Sequence, residues 1–286
     1  MLESLKQIKN RIRSVENTRK VTNAMEMISV AKLRPLENRL PAQRAYFLNL
    51  ERLLKKLLPR QKGEIHPFAA GRNLKGKLAL CVITSDTGLC GMYNHDILHL
   101  ADDFINRNGE DKILLITIGR KGLNYFKKKG INPREKFIEL NGRYSDEISN
   151  EILKTLTDIY LSGEAYEVYL AYTYFTSPAR HKPVIEKILN ITLDADSNAL
   201  EYLFEPDINS ILAELIPVYL SHKVKSAILN SFASEQAARM VAMGEATKNA
   251  DELLEDLILS RNKLRQANIT KELMEIVSSA EVLRRG

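Results

Sequence analysis

Residues 217–285 read PVYLSHKVKSAILNSFASEQAARMVAMGEATKNADELLEDLILSRNKLRQANITKELMEIVSSAEVLRR, and this stretch decides how the chain is built. After Pro217 it contains no further proline and one glycine, Gly244. Taken as a single helix at about 1.5 Å per residue, it would be roughly 100 Å long. A globular domain of a 286-residue chain needs nothing so long. A similar, more basic helical pattern fills the opposite end, from residue 2 to about 58. There Leu5, Ile8, Ile12 and Val15 step by three, four and three, the spacing of a coiled-coil stripe. The stripe weakens over residues 16–20 and resumes at Val21, Met25 and Ile28. The two ends are therefore expected to pair, with something compact carried between them.

Outward from those helices the pattern changes. Pro35 and Pro41 each remove a helical hydrogen bond, so a kink or break is expected there. Residues 44–58 are helical again, and residues 59–75, with Gly63, Pro67 and Gly71, read as a linker. The runs KLALCVIT (77–84) and KILLITI (112–118) are short and continuously apolar, as strands buried on both faces must be. EVYLAYT (167–173) is a third. Helical patterns lie between them at 94–106, at 121–129 closed by Gly130, and at 146–161 with Ser145 as N-cap and Gly163 as stop. This alternation predicts an α/β sandwich with a mostly parallel sheet. Residues 194–207 form a polar loop with an aromatic insert, and the last helix starts near Ile208 with Pro217 as a kink or an N1 residue. The fold class is α/β, a long antiparallel coiled coil of N- and C-terminal helices plus a central Rossmann-like α/β domain. Its boundaries are 1–58, 76–193 and 208–286.

Charge is unevenly placed. The net charge is +6, yet residues 1–60 hold fourteen Lys/Arg against five Glu, a net of +9. A basic helical arm calls for an acidic partner: nucleic acid, anionic lipid or acidic protein loops. No run approaches 18 apolar residues, so no membrane span is expected. The first residues, MLESLKQIKNRIRS, lack the apolar core of a signal peptide. Cys81 and Cys90 lie in or beside one strand and lack metal spacing, which suits reduced, buried thiols in a cytosolic protein.

Several motifs invite chemistry and are outweighed. SDTGLCG (85–91) follows a strand and precedes a helix, where a glycine-rich turn can cradle phosphate on free N–H groups. It has two glycines, Gly88 and Gly91, rather than three and no Gly-Lys-Ser/Thr, so a tight turn is the better reading. His95 and His99 mimic a zincin pair, but Asp96 replaces the usual Glu and no third ligand is evident; a solvated helix face is expected. Arg11, Arg13, Arg19 and Lys20 would suit phosphates, yet the arm carries a sustained apolar stripe and no nucleic-acid module is present. No Ser/His/Asp or Cys/His set suggests catalysis.

Longer strings carry a resemblance. They are IKNRIRSVENTRKVTNAMEM (8–27), SEQAARMVAM (234–243), RQANITKELMEIV (265–277), SDTGLCG, and YLFEPD (202–207). Together, in order and across the whole chain, these resemble the gamma subunit of F-type ATP synthases, of bacterial type. The resemblance implies a non-catalytic, single-copy central rotor that couples ion flow through the membrane c-ring to ATP synthesis or hydrolysis at the beta subunits. It implies that the paired terminal helices enter a ring of three alpha and three beta subunits. It further implies that the α/β domain, with an epsilon subunit, sits on the c-ring at the cytoplasmic side of the inner membrane. Nucleotide is then held by alpha and beta, so no cofactor or metal is expected here. By position in these strings, Met25, Arg265, Gln266 and Thr270 are implied beta-subunit contacts, and Tyr202, Phe204 and Glu205 are implied contacts with epsilon and the c-ring. The chloroplast-type insertion with its regulatory cysteine pair is missing, so redox control of that kind is not expected. A coiled-coil adaptor without a rotary role, and a nucleotide-dependent enzyme built on the α/β domain, are the competing readings.

Overall fold

A computed structural model describes residues 4–61, 66–69, 76–192, 205 and 207–285. Two compact units divide the chain: residues up to Ile28 together with those from Ala242 on, and Ser29–Val241. The elements in order are α1 (Leu5–Leu57), a 3₁₀ turn (Leu58–Arg60), β1 (Lys77–Ile83), α2 (Tyr93–Asn108), a second 3₁₀ turn (Glu110–Lys112), β2 (Ile113–Ile118), α3 (Arg120–Lys128), β3 (Glu135–Phe137), α4 (Asp146–Leu161), β4 (Ala165–Ser177), β5 (Arg180–Leu189) and α5 (Ile208–Arg285).

The larger unit is a three-layer α/β sandwich. Its sheet runs β3-β2-β1-β4-β5. The first four strands are mutually parallel, and β5 returns antiparallel on β4. β1 shows why its sequence is apolar from Leu78 to Ile83. Leu78, Leu80 and Val82 face the layer of α2 and α3, with Ile97, Ala101 and Phe126. Ala79, Cys81 and Ile83 face the opposite layer, with Ile152 and Leu156 of α4, Leu36, Leu40 and Leu54 of α1, and Leu229 and Phe232 of α5. With both faces covered, no position is left for a polar residue. The Cys81 thiol, wholly buried there, is pushed up to about 12 by loss of solvation.

The strand-to-helix connections are tight. Thr84 Oγ1 donates to Ile118 O at 2.9 Å and accepts from Gly122 N at 2.9 Å. Gly119, at φ +92°, passes so close that a Cβ there would sit 2.2 Å from Thr84 O, so only glycine fits. Ser145 caps α4 by accepting from Ile148 N, as its position before Asp146 predicts.

Two expectations are narrowed, the break in α1 and the N1 reading of Pro217 being excluded, and two strands are added. α1 runs unbroken through Pro35 and Pro41. Both prolines are exposed, so the carbonyls they strand lie at the solvent side, while buried Leu33, Leu36 and Leu40 hold the inner face. Pro217 is interior to α5 and not its first residue. The helix starts nine residues earlier, where the Asp207 carboxylate accepts from Asn209 N and Ser210 N at 2.9 and 3.0 Å. Two strands go unread in the sequence, β3 and β5.

The smaller unit is a helix pair. Ile8 and Ile12 of α1 are buried against Leu254 and Leu257 of α5, with Val15 and Leu264 half-buried beside them. Thr247 Oγ1 donates to Thr22 Oγ1 at 2.8 Å, and Arg19 pairs with Asp251 at 2.8 Å. Rising numbers on α1 meet falling numbers on α5, so the pair is antiparallel. The buried seam steps by seven from Val15 to Thr22. Val21 and Ile28, expected on the stripe, fall beside that seam and are 57% and 56% exposed.

Candidate functional site

The larger unit has the strand order of dinucleotide-binding folds, in which ligands sit in a crevice beyond the carboxyl ends of the strands, where the order reverses. Here the reversal lies between β1 and β4. α5 fills the crevice with polar side chains. Pairing of β1 with β4 ends at Val82 and Ala171, which leaves the last residues of β4 without a strand on that side. Ser231 Oγ accepts from Thr173 N at 3.1 Å, and Ser234 Oγ donates to Thr173 O at 3.2 Å. Asn230 Oδ1 accepts from Phe175 N at 3.2 Å and from Arg44 Nη2 at 3.1 Å. The side chains of a helix thus complete the ladder that β1 leaves open, as buried backbone groups require.

Across the crevice, α5 grips the 85–91 loop. Arg239 donates to Gly88 O at 3.3 Å, to Thr87 O at 3.4 Å and to Thr87 Oγ1 at 3.1 Å. Its Nη1 pairs with Glu235 at 2.8 Å, and both side chains are buried, 7% and 2% exposed. Burial pushes the Glu235 carboxyl up, and the Arg239 charge opposes that shift. The Cys90 thiol beside this pair is likewise raised by burial, again against the Arg239 charge. The loop therefore offers carbonyl oxygens to a cation, not N–H groups to a phosphate.

Asp86 in the same loop is itself the anion in a nest. Its carboxylate accepts from Arg120 N at 3.0 Å, Glu139 N at 3.1 Å and Asn141 N at 2.7 Å. Glu139 (φ 68°), Asn141 (φ 50°) and Gly142 (φ 66°) take the left-handed region to wrap it. Gly142 lies so close to Gln236 Nε2 that a Cβ would come within 2.6 Å. SDTGLCG, read from sequence as a tight turn, is a structural joint held by Arg239 and by Asp86. His95 and His99 sit on the exposed face of α2, beside Asp96 at 3.3 Å and Asp103 at 3.5 Å.

The residues singled out by sequence lie elsewhere. Met25 is half-buried on α1 in the smaller unit. Arg265, Gln266 and Thr270 are exposed on α5, with Gln266 and Thr270 one turn apart on a shared face. The antiparallel alignment sets Met25 near the Gly244–Thr247 level, so it is not brought together with that trio. Glu205 is exposed; Tyr202 and Phe204 lie outside the described residues.

Around Arg265 the surface is unusual. Every residue from 265 to 280 is exposed, apolar ones included. Ile269, Leu273, Met274, Ile276 and Val277 range from 49% to 65% exposed, and Leu283 reaches 84%. Among the described residues the last buried apolar cover from α1 is Ile8, in the cluster with Ile12, Leu254, Leu257 and half-buried Leu264. A run of bare apolar side chains this long marks a surface that something else covers.

Known proteins place the chain. The family model described as ATP synthase matches residues 4–283. A protein named ATP synthase gamma chain from Anaeromyxobacter dehalogenans (strain 2CP-1 / ATCC BAA-258) is 38% identical over 291 residues, covering 99% of this chain and all of that one. The namesake from Pelotomaculum thermopropionicum is 35% identical over 285 residues, with the same coverage. Among solved structures, a chain of the Euglena gracilis mitochondrial ATP synthase (OSCP/F1/c-ring, rotational state 3) aligns with TM-score 0.73 at 17% identity, covering 99% of this chain and 95% of that one. A chain of the Tetrahymena thermophila mitochondrial ATP synthase central stalk and c-ring aligns with TM-score 0.59 at 22% identity, covering 79% of this chain and 99% of that one.

Proposed function

The chain belongs to the ATP synthase gamma-chain family, and from that membership we propose how its residues serve as the central-stalk rotor of the complex. The observation that carries the reading is the C-terminal run of α5, exposed on every side and rich in apolar residues. Apolar contact is non-directional. Such a surface can turn inside a sleeve without exchanging hydrogen bonds at each step. The sleeve is a ring of three alpha and three beta subunits around one copy of this chain, with Arg265, Gln266 and Thr270 meeting beta-subunit loops and Met25 facing an acidic one. The segment 76–193 is the head and carries, with 202–207, the surface for epsilon and the c-ring; Glu205, Tyr202 and Phe204 belong to that foot. Segments 1–58 and 208–286 form the shaft.

The chain supplies no catalytic group; nucleotide turns over on beta. No helix among the described residues is long and apolar enough to cross a membrane. Attachment is then peripheral, through the c-ring, at the cytoplasmic side of the inner membrane, where ion flow drives the turn.

One helix pair inside three identical partners cannot show each the same face. Each beta subunit meets a different contact and takes a different affinity. Swinging one site from 1:99 to 99:1 needs about 5.5 kcal/mol of differential contact. An exposed ion pair supplies about 0–1 kcal/mol, so the bias is spread over many contacts along the pair.

The test is reconstitution with alpha and beta subunits fixed to a surface and a bead on this chain. ATP should turn the bead in one direction. A bead that stays still while the complex hydrolyses ATP contradicts the rotor assignment.

A further inference from the structure

A rotor must hold its head and shaft at a fixed angle, and apolar packing is poorly suited to that task. Being non-directional, it resists separation better than twist. Hydrogen bonds have preferred directions and lengths, so they fix an angle. In the larger unit, α5 meets the sheet through both kinds of contact. Leu229, Phe232 and Ala233 bury apolar area against it. Between them runs the buried stripe Asn230, Ser231, Ser234, Glu235, Gln236 and Arg239.

We infer that this stripe is the angular key of the rotor, and that Arg239, held by Glu235, is its positioning residue, acting through the 85–91 loop. The inference rests on the rotor reading above and adds the place where twist is carried from head to shaft. Two anchors define it. The first is at the end of β4, where Ser231, Ser234 and Asn230 bond to Thr173 and Phe175. The second is at the end of β1, where Arg239 spans Thr87 and Gly88. They lie about one and a half to two and a half turns apart along α5 and hold the end of β4 and the loop that follows β1. A helix pinned at one point can roll; pinned at two, on β4 and on that loop, it cannot.

The loop that Arg239 holds is stiffened in turn. Asp86 ties it to Arg120, Glu139 and Asn141. Asn94 ties it to the start of α2 through Ser85, with Asn94 Nδ2 donating to Ser85 Oγ at 2.8 Å. Twist on Arg239 therefore passes to α2, to α3 and to the 139–142 turn. Stability alone does not call for this pair. Glu235 Oε2 has no hydrogen-bond partner among the described residues. Buried ion pairs are often replaceable by apolar residues at no loss of stability.

That last property supplies the test. The double variant Glu235→Leu/Arg239→Met removes the clamp and orphans neither charge. Spin labels at Asn124→Cys on α3 and Val241→Cys on α5 read the spread of distances in the full chain; the native thiols Cys81 and Cys90 are buried. The bead assay reads the angular variance of the pauses in the assembled rotor. With one of two parallel anchors gone, that variance should rise about twofold, and the spin-label distribution should broaden, while the urea midpoint holds or rises. Thr87→Val removes a single acceptor and should broaden both readouts less; it keeps the inference testable if the double variant does not fold. Unchanged distributions in the variant that folds would overturn the key. A broadened spin-label distribution in a complex whose wild-type bead never turns would instead sink the rotor reading and leave the joint standing.

Discussion

Residues 227–239 of α5 are buried on every side, and residues 265–280 of the same helix are exposed on every side. Composition alone does not mark the difference, since polar side chains lie in the buried stretch and large apolar ones in the exposed stretch. The buried stretch holds Ser231, Ser234, Glu235, Gln236 and Arg239, and the exposed one holds Ile269, Leu273, Met274 and Ile276. Both stretches are helical, so propensity does not set the difference. What differs is where the partners are. The first stretch finds all of its partners within the chain, including backbone groups of β4 and the 85–91 loop. Among the described residues the second finds only ties within its own helix, Lys271 to Glu275 and Ser279 to the Glu275 carbonyl, and its apolar surface is the one the rotor reading assigns to another subunit.

The largest expected contrast is in core deletion. Phe232→Ala should lower unfolding free energy by about 3–5 kcal/mol, whereas Met274→Ala should stay within about 0.5 kcal/mol in the chain alone. Urea titration of both variants checks it; a comparable loss at Met274 would mean the exposed stretch is packed in solution. Next is Arg239→Ala alone. It strands the buried Glu235 carboxylate and should cost about 3 kcal/mol, recovered by adding Glu235→Leu. If the second change gives no recovery, the pair is not acting as a coupled buried charge.

A smaller effect is set by pH. Burial raises the phenols of Tyr93, Tyr172 and Tyr219 above their ordinary value. An unfolded chain releases these protons near pH 10. The folded chain then binds more protons, so stability should fall as pH climbs past about 10. Tyr219→Phe, which keeps the stack on Phe47, should make that fall shallower. The smallest effect concerns the exposed arm. Neutralising Arg19 and Lys20 together removes one half-exposed pair, Arg19 to Asp251, and should reduce torque only in part. Complete loss of rotation-coupled turnover would contradict contact spread over many residues.

Much of the fold was readable. Continuous apolar runs announced β1 and β2, and Ser145 announced α4. β3 is only Glu135, Lys136 and Phe137, too short and polar for any period to show. β5 carries Pro183 and a half-buried face, which an edge strand tolerates and a sequence pattern penalises. The prolines of α1 do not end the helix because each costs one hydrogen bond on the exposed face while burial of Leu33, Leu36 and Leu40 holds the inner face, and exposure is not visible in sequence. The sites divide in the same way. Met25, Arg265, Gln266 and Thr270 came from resemblance, since neither a half-buried methionine on an apolar stripe nor exposed polar residues on a helix signal a partner. The joint at Arg239 was missed because Ser, Glu, Gln and Arg on a helix ordinarily mean a solvated face. The signal that would have found it is SEQAAR itself, polar residues four apart in a stretch flanked by Phe232 and Met240 with no polar-face alternation.

Amide hydrogen exchange tests the contrast between the two stretches most directly, measured on the chain alone and on its complex with alpha and beta subunits. Residues 227–239 should exchange slowly in both. Residues 265–280 should exchange quickly in the chain alone and become protected on assembly. Fast exchange at 265–280 within the intact complex would mean no sleeve covers that end of α5, and the account would fail there.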